Sequence, residues 1–159
     1  MSDQPFTHLD AAGQAHMVDV TAKMPTVREA TAEGFVRCSP TVIDALRSGS
    51  APKGDVLAVA RIAGIQGAKR TAELLPLAHI IGVHGARVDL EITDEGVYVA
   101  ATVRTADRTG VEMEAMTAVS VAALAVVDMV KGMDKSVQIE NVRLLAKSGG
   151  KSGEWRRPV

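Results

Sequence analysis

Asp128 and Lys131 stand three residues apart in a stretch of helical character, so they share one face and bring a carboxylate within reach of an ammonium. Spacing alone leaves two readings. One is a solvated ion pair that contributes little; the other is a desolvated acid and amine whose shifted protonation suits proton transfer. Asp128 closes the thirteen-residue uncharged run Ala115 to Val127, which places it near the buried end of that face. Glu112 and Glu114 stand where a loop becomes the same helix. They are either ordinary acids favoured at a helix start or, after the turn Thr109-Gly110, two carboxylates lining a pocket. His79 lies in the apolar run Leu77-Ala78-His79-Ile80-Ile81. It is either a satisfied core imidazole or a neutral one aimed into a pocket, able to exchange a proton near neutrality. Lys53 precedes Gly54 and the capping acceptor Asp55, as a plain surface lysine or as part of an anion site at a helix start.

Lys147-Ser148-Gly149-Gly150-Lys151-Ser152-Gly153 has the look of a phosphate loop, but position 145 is Leu where that motif needs Gly, and no helix follows. A P-loop is therefore excluded. From Arg143 to Arg157 five cations stand against the single acid Glu154. Flexible glycines with cations suit a wrapped polyphosphate, and a disordered basic tail explains the same composition.

These groups need elements to hold them. After an extended arm over residues 1–25, Thr26 to Arg37 is a strand bounded by Pro25 and by Ser39-Pro40. Ser39 caps a short helix whose ring at Pro40 has φ already set; Val42, Ile43 and Leu46 form its stripe and Gly49 its left-handed stop. Asp55 caps a longer helix to about Leu74, with Val56, Val59, Ala60, Ala63, Gly67, Thr71 and Leu74 at steps of three and four. Its small residues permit close approach, and Arg61, Lys69 and Arg70 are its cationic positions. Arg87–Thr93 and Val97–Thr105 alternate around Asp94-Glu95-Gly96 as a hairpin. A helix from about Val111 to Met133 and a strand from Val137 to Ala146, bulged near Glu140-Asn141, complete the order, with a flexible basic tail over 147–159. With the extra helix set aside the pattern is β-α-β-β-α-β: an α+β ferredoxin-like sandwich in one domain, its antiparallel sheet carrying helices on one face.

At 159 residues the chain suits one domain with a proper core. Aromatics are 3% and the net charge is -1, which argues against single-stranded nucleic acid, duplexes or an anionic membrane as partners. The thirteen-residue uncharged run is too short for a membrane span. Cys38 is alone, which excludes an intrachain disulfide and a cysteine-based zinc site, and His8, His16, His79 and His84 lack zinc-protease spacing. Met1 to Asp10 lacks signal-peptide character, so a cytoplasmic location is expected.

Taken together, the longer motifs resemble the cyclic pyranopterin monophosphate synthases. The resemblance rests on His16 to Val20, Lys53-Gly54-Asp55 leading to Ala60 through Ile65, and Ala68-Lys69-Arg70-Thr71. It continues through Arg108 to Ala115, Val119 to Leu124, Asp128-Met129 with Lys131, and Leu144 to Gly153. It covers nearly the whole chain in order. The family's usual Leu-Cys-His-Pro reads Leu77-Ala78-His79-Ile80, and Val127 replaces an aromatic residue before the aspartate.

The resemblance implies a ferredoxin-like hexamer, a trimer of dimers with active sites between subunits. It implies a lyase that converts a cyclised dihydro-GTP into cyclic pyranopterin monophosphate and pyrophosphate during molybdenum-cofactor synthesis. No redox or organic cofactor is implied and no protein-held metal; magnesium with the triphosphate stays open. Asp128, Lys131 and Lys53 would share the early proton transfers. Glu112, Glu114 and His79 would position the base, Leu77, Ala78 and Met113 would contact the substrate beside them, and Lys147, with Lys69 and Arg70, would hold the phosphates. Two rivals remain: a silent nucleotide-triphosphate-binding module of this fold, and a purely structural subunit.

Overall fold

Alternation over Thr26–Arg37 puts Ala30, Ala32, Gly34 and Val36 on one side of an extended chain, and in the computed structural model, which describes residues 7–159, that side is the core. The strand, β1 (Thr26–Arg37), is central. It pairs antiparallel with β3 (Gly96–Asp107) on one flank and with β4 (Gln138–Ser148) on the other. β2 (Gly85–Ile92) adds to β3, and β5 (Trp155–Arg156) to β4, giving the order β2-β3-β1-β4-β5. Register matches the apolar faces: Val88 opposes Ala101, Leu90 opposes Val99 and Ile92 opposes Val97, while Val36 opposes Val97 from the other flank. This is the split β-α-β-β-α-β arrangement, with helices on one face.

The helices are α1 (Pro40–Ser48), α2 (Val56–Lys69), the single turn α3 (Thr71–Leu74) and α4 (Glu112–Val130). Ser39 Oγ accepts the Val42 N–H and Asp55 Oδ1 the Ala58 N–H, so both expected caps form; Gly49 ends α1 at φ 68°. The expected helix from Asp55 to Leu74 breaks at Arg70 (φ -108°, ψ 11°). There the buried Thr71 hydroxyl turns back onto the carbonyls of Gly67 and Ala68 and competes with helix continuation. Beyond the break Leu74, read as a buried stripe position, is exposed; within α2 so is Val59, while Gly64 takes a place in the buried face.

Small residues let α4 sit close to its neighbours. A Cβ on Gly64 of α2 would lie 2.9 Å from the Ala118 carbonyl oxygen of α4, and one on Gly34 of β1 would lie 2.7 Å from Val119 Cγ1. Ala115, Ala118, Val119, Ala122, Ala123, Val126 and Val130 fill the space between α2 and the sheet. By length and composition α4 would pass for a membrane span, but half of that stretch is buried here, as in a core helix.

β4 carries the expected bulge: Glu33 opposes Arg143 and Phe35 opposes Glu140, with Asn141 at φ 54° taking the extra residue. Beyond it the chain departs from a flexible tail. β4 runs on to Ser148, turns through Gly149 to Gly153, and returns as β5. There Ala146 opposes Arg156 and Lys147 opposes Trp155, and Arg157 donates to the carbonyls of Leu144 and Leu145. Backbone pairing at an open sheet edge orders a segment whose composition alone reads as loose. Of the N-terminal arm, residues 1–6 lie outside the described residues. From Thr7 to Pro25 the chain is irregular, with a bridge between Leu9 and Ala15 and a turn closed on the Asp10 carboxylate.

Candidate active site

α4 has acids in its first turn and an acid with two cations at its last, and the two ends build two separate groups. At the N-terminal end lies a cleft of about 370 Å³ lined by Leu77, Ala78, His79, Glu112, Met113 and Glu114, together with the arm and the Thr109-Gly110 turn. The Glu112 carboxylate folds back over the turn into the space beside Gly110, and a side chain at 110 would displace it. Glu114 is only 5% exposed. Burial, less a contribution from its own backbone N–H, and the neighbouring Glu112 charge push its carboxyl up to about 7. Near neutral pH it is therefore poised between a proton donor and an ionised acceptor.

His79 enters the cleft from the irregular stretch between α3 and β2. Its Nε2 donates to the Val18 carbonyl at 2.5 Å, which ties the ring to the arm by that nitrogen. The same ring lines a neighbouring cleft of about 390 Å³ with Met17, Asp107 and Arg108, so His79 stands in the wall between two openings.

At the C-terminal end of α4, Asp128 sits between two ammoniums. Lys131 Nζ donates to Oδ1 at 2.7 Å; Lys53 Nζ lies 3.5 Å from Oδ2 and donates to the Asp128 carbonyl at 3.0 Å. The hydrogen bond and charge of Lys131, then the charge of Lys53, hold this carboxyl below its ordinary range. The expectation that Asp128 lies at the buried end of its face is corrected. Its side chain is 58% exposed, because α4 rotates the 128 position outward while Met129 and Val130 turn in. Within one chain the group is a solvated triad and not a desolvated pair.

These groups are far apart. Fourteen residues separate Glu114 from Asp128, and at 1.5 Å per residue that is about 21 Å along the helix axis. Lys147 belongs to neither group. It opposes Ala30 near the start of β1 and Trp155 of β5, lines a small cavity with Glu29 and Glu154, and bonds the Ser152 hydroxyl. Lys69 and Arg70 are exposed at the end of α2 and line neither of the clefts beside His79.

Two ionisable cleft residues were not among the site residues expected from sequence: Lys23 and His8, both from the arm. Lys23 is held there by Arg108, whose Nε donates to its carbonyl at 3.0 Å. The Arg108-Thr109-Gly110 motif was visible in the sequence, but its partner 85 residues upstream was not.

Among the described residues no three His, Cys, Asp or Glu stand together as a metal-holding group.

The comparisons with known proteins agree closely. The model of the MoaC family matches residues 17–150. A cyclic pyranopterin monophosphate synthase of Streptomyces coelicolor is 59% identical over 152 residues, covering 96% of this chain and 89% of the relative. One from a Nocardioides species is 56% identical over 99% of this chain and all of its own length. The enzyme of that name from Chloroflexus aurantiacus is 54% identical, covering 96% of this chain and 95% of the relative.

Proposed function

The chain belongs to the MoaC family, and on that footing we propose that it performs the cyclic pyranopterin monophosphate synthase reaction at sites shared between copies of itself. The observation that carries the reading is the pair of acid–base groups at opposite ends of α4, one lining a cleft around the buried Glu114 and the other exposed around Asp128. The substrate would be a GTP derivative whose ribose is already bonded to guanine C8, and the products cyclic pyranopterin monophosphate and pyrophosphate.

The chemistry asks for two kinds of group. Opening and rebuilding the purine ring moves protons at carbon, nitrogen and oxygen, which needs acids and bases poised at different protonation levels. Glu114, balanced near neutral pH, and His79, in the wall of the cleft, suit the base end of the substrate. Asp128 stays ionised between Lys53 and Lys131, so that triad offers a carboxylate acceptor flanked by two ammonium donors. Closing the cyclic phosphate requires an oxygen derived from the ribose to attack the α-phosphorus while pyrophosphate departs. Cations must then balance the charge on the leaving oxygens. Lys147 and the arm's Lys23 are the candidates for that work; Lys69 and Arg70 have the charge, but their position gives them less support.

A separation of about 21 Å along α4 is too great for one nucleotide-sized substrate to use both groups of a single chain in one step. A second copy placing its Lys53–Asp128–Lys131 group against the Glu112–Glu114–His79 cleft would complete the site. It would also desolvate Asp128, which one chain leaves exposed. Apolar side chains left in solvent, Ile62 at 67% and Leu124 at 57%, are consistent with burial in such an assembly. The assembly proposed is a hexamer of three dimers in the cytoplasm, with no resident cofactor.

The test is turnover of the purified protein with the cyclised dihydro-GTP. Pterin product and pyrophosphate should appear together in equal amounts. A folded protein that binds this substrate and releases neither product would be a silent nucleotide-binding module instead.

A further inference from the structure

Gly82 is gripped on both sides of its peptide by one strand. Thr105, near the end of β3 and 2% exposed, donates its hydroxyl to the Gly82 carbonyl at 2.5 Å. Asp107, two residues on, accepts the Gly82 N–H on Oδ2 at 3.2 Å while its other oxygen takes the Arg108 N–H at 2.7 Å. Residues two apart on a strand face the same way, so Thr105 and Asp107 reach one target together.

The target matters because of what precedes it. Gly82 follows His79 by three residues in a segment, 75–84, with neither helix nor strand of its own. Of the two residues between them, Ile80 is 91% exposed and Ile81 is partly buried against the core. Upstream, the Ala78 N–H donates to the Leu75 carbonyl, a bond local to the segment. On the ring itself the bond is to Val18, in the irregular arm. Downstream, the grip on Gly82 is the first hydrogen-bonded tie to the sheet, reinforced where the His84 N–H donates to the Arg104 carbonyl. The strand end is itself braced, because Arg28 of β1 donates to the carbonyls of Asp107 and Arg108.

We propose that Thr105 and Asp107 are positioning residues, which clamp the Gly82 peptide to β3 and so fix the His79 imidazole in the wall between the two clefts. The proposal rests on the reading of His79 as a group that handles substrate. A clamp serving stability alone would shift the melting point and leave chemistry intact. A positioning clamp changes kcat more than KM, and does so even where stability is unchanged.

Three variants of the full-length assembled protein separate these cases. Thr105→Val keeps the shape and removes the hydroxyl, Thr105→Ser keeps the hydroxyl, and Asp107→Ala removes a carboxylate at the more open end of the strand. Thr105→Val should lower kcat about tenfold or more with KM changed less than about threefold, since small misplacements of a reacting group cost that much. Thr105→Ser should stay within about twofold of the unaltered protein, and Asp107→Ala should lose about threefold in kcat with its melting midpoint unmoved. Independently of turnover, the imidazole nitrogen resonances of His79, assigned through their loss in His79→Gln, should broaden or split in Thr105→Val and Asp107→Ala and stay sharp in Thr105→Ser. Unchanged kcat and unchanged His79 resonances in both clamp variants would overturn the proposal. Should Thr105→Val fail to fold, Asp107→Ala decides. Should the unaltered protein itself not turn over, the functional reading falls, and the resonances alone decide the clamp.

Discussion

Replacing Glu114 by Gln should change how stability depends on pH. In the folded protein this carboxyl is raised from 4.5 to about 7, chiefly by burial and further by the Glu112 charge. An acid whose folded value is raised keeps its proton after the unfolded chain has released it. Folding is therefore favoured below pH 4.5 and progressively less so as pH climbs through 7. A difference of about 2.5 pH units, at roughly 1.36 kcal/mol each, amounts to about 3 kcal/mol lost across that interval. Glu114→Gln cannot ionise, so its own contribution is flat. Urea denaturation of both proteins at matched concentration, at pH 5, 6, 7 and 8, measures the effect; matched concentration matters because assembly adds to apparent stability. The gap between the curves should move in favour of the Gln variant by about 2.5 kcal/mol from pH 5 to pH 8, the rest of the loss falling below pH 5. Curves that stay parallel within about 0.5 kcal/mol would refute a buried, upward-shifted Glu114.

Three further outcomes follow from the geometry. Gly64→Ala forces a methyl against the Ala118 carbonyl of α4, so denaturation should show a loss of about 1–3 kcal/mol from overpacking. Lys131→Ala should abolish turnover while light scattering shows the assembly intact, and the Asp128 carboxyl, followed by NMR, should titrate at higher pH once its nearest ammonium is gone. Truncation after Ser148 removes β5 and the hydroxyl that Lys147 bonds; KM should rise about tenfold, or roughly 1.4 kcal/mol of binding, with secondary structure retained by circular dichroism.

Much of the frame was legible because it is local. Ser39-Pro40, Asp55 and Gly49 carry their own capping chemistry, and the alternation of β2 and β3 around Asp94-Glu95-Gly96 fixes which side chains face inward. The bulge at Asn141 was legible for the same reason. What local patterns could not supply was partner-dependent. The break at Arg70 depends on Thr71 being buried, so that its hydroxyl turns onto backbone. The return of β5 depends on a free edge of β4, and the approach of Lys23 to the cleft depends on Arg108. Asp128 shows the limit most sharply. Its ion pair with Lys131 was readable from a spacing of three. Its exposure was not, since an uncharged run tells how apolar a helix is and not which way its last turn faces. The family resemblance suggested the acid–base residues as a set; only the fold reveals that α4 holds them apart.

The central claim is that those separated groups meet between copies, and mixing two inactive variants tests it most directly. Asp128→Ala disables the group at one end of α4 and Glu112→Ala the cleft at the other. Each alone should be inactive. Unfolded together in equal amounts and reassembled, they should recover about a quarter of full activity, because one site in four then draws both halves from intact ends of different chains. A mixture as inactive as its parents, with mixed assemblies shown to form, would mean that each chain works with its own residues and would contradict the account.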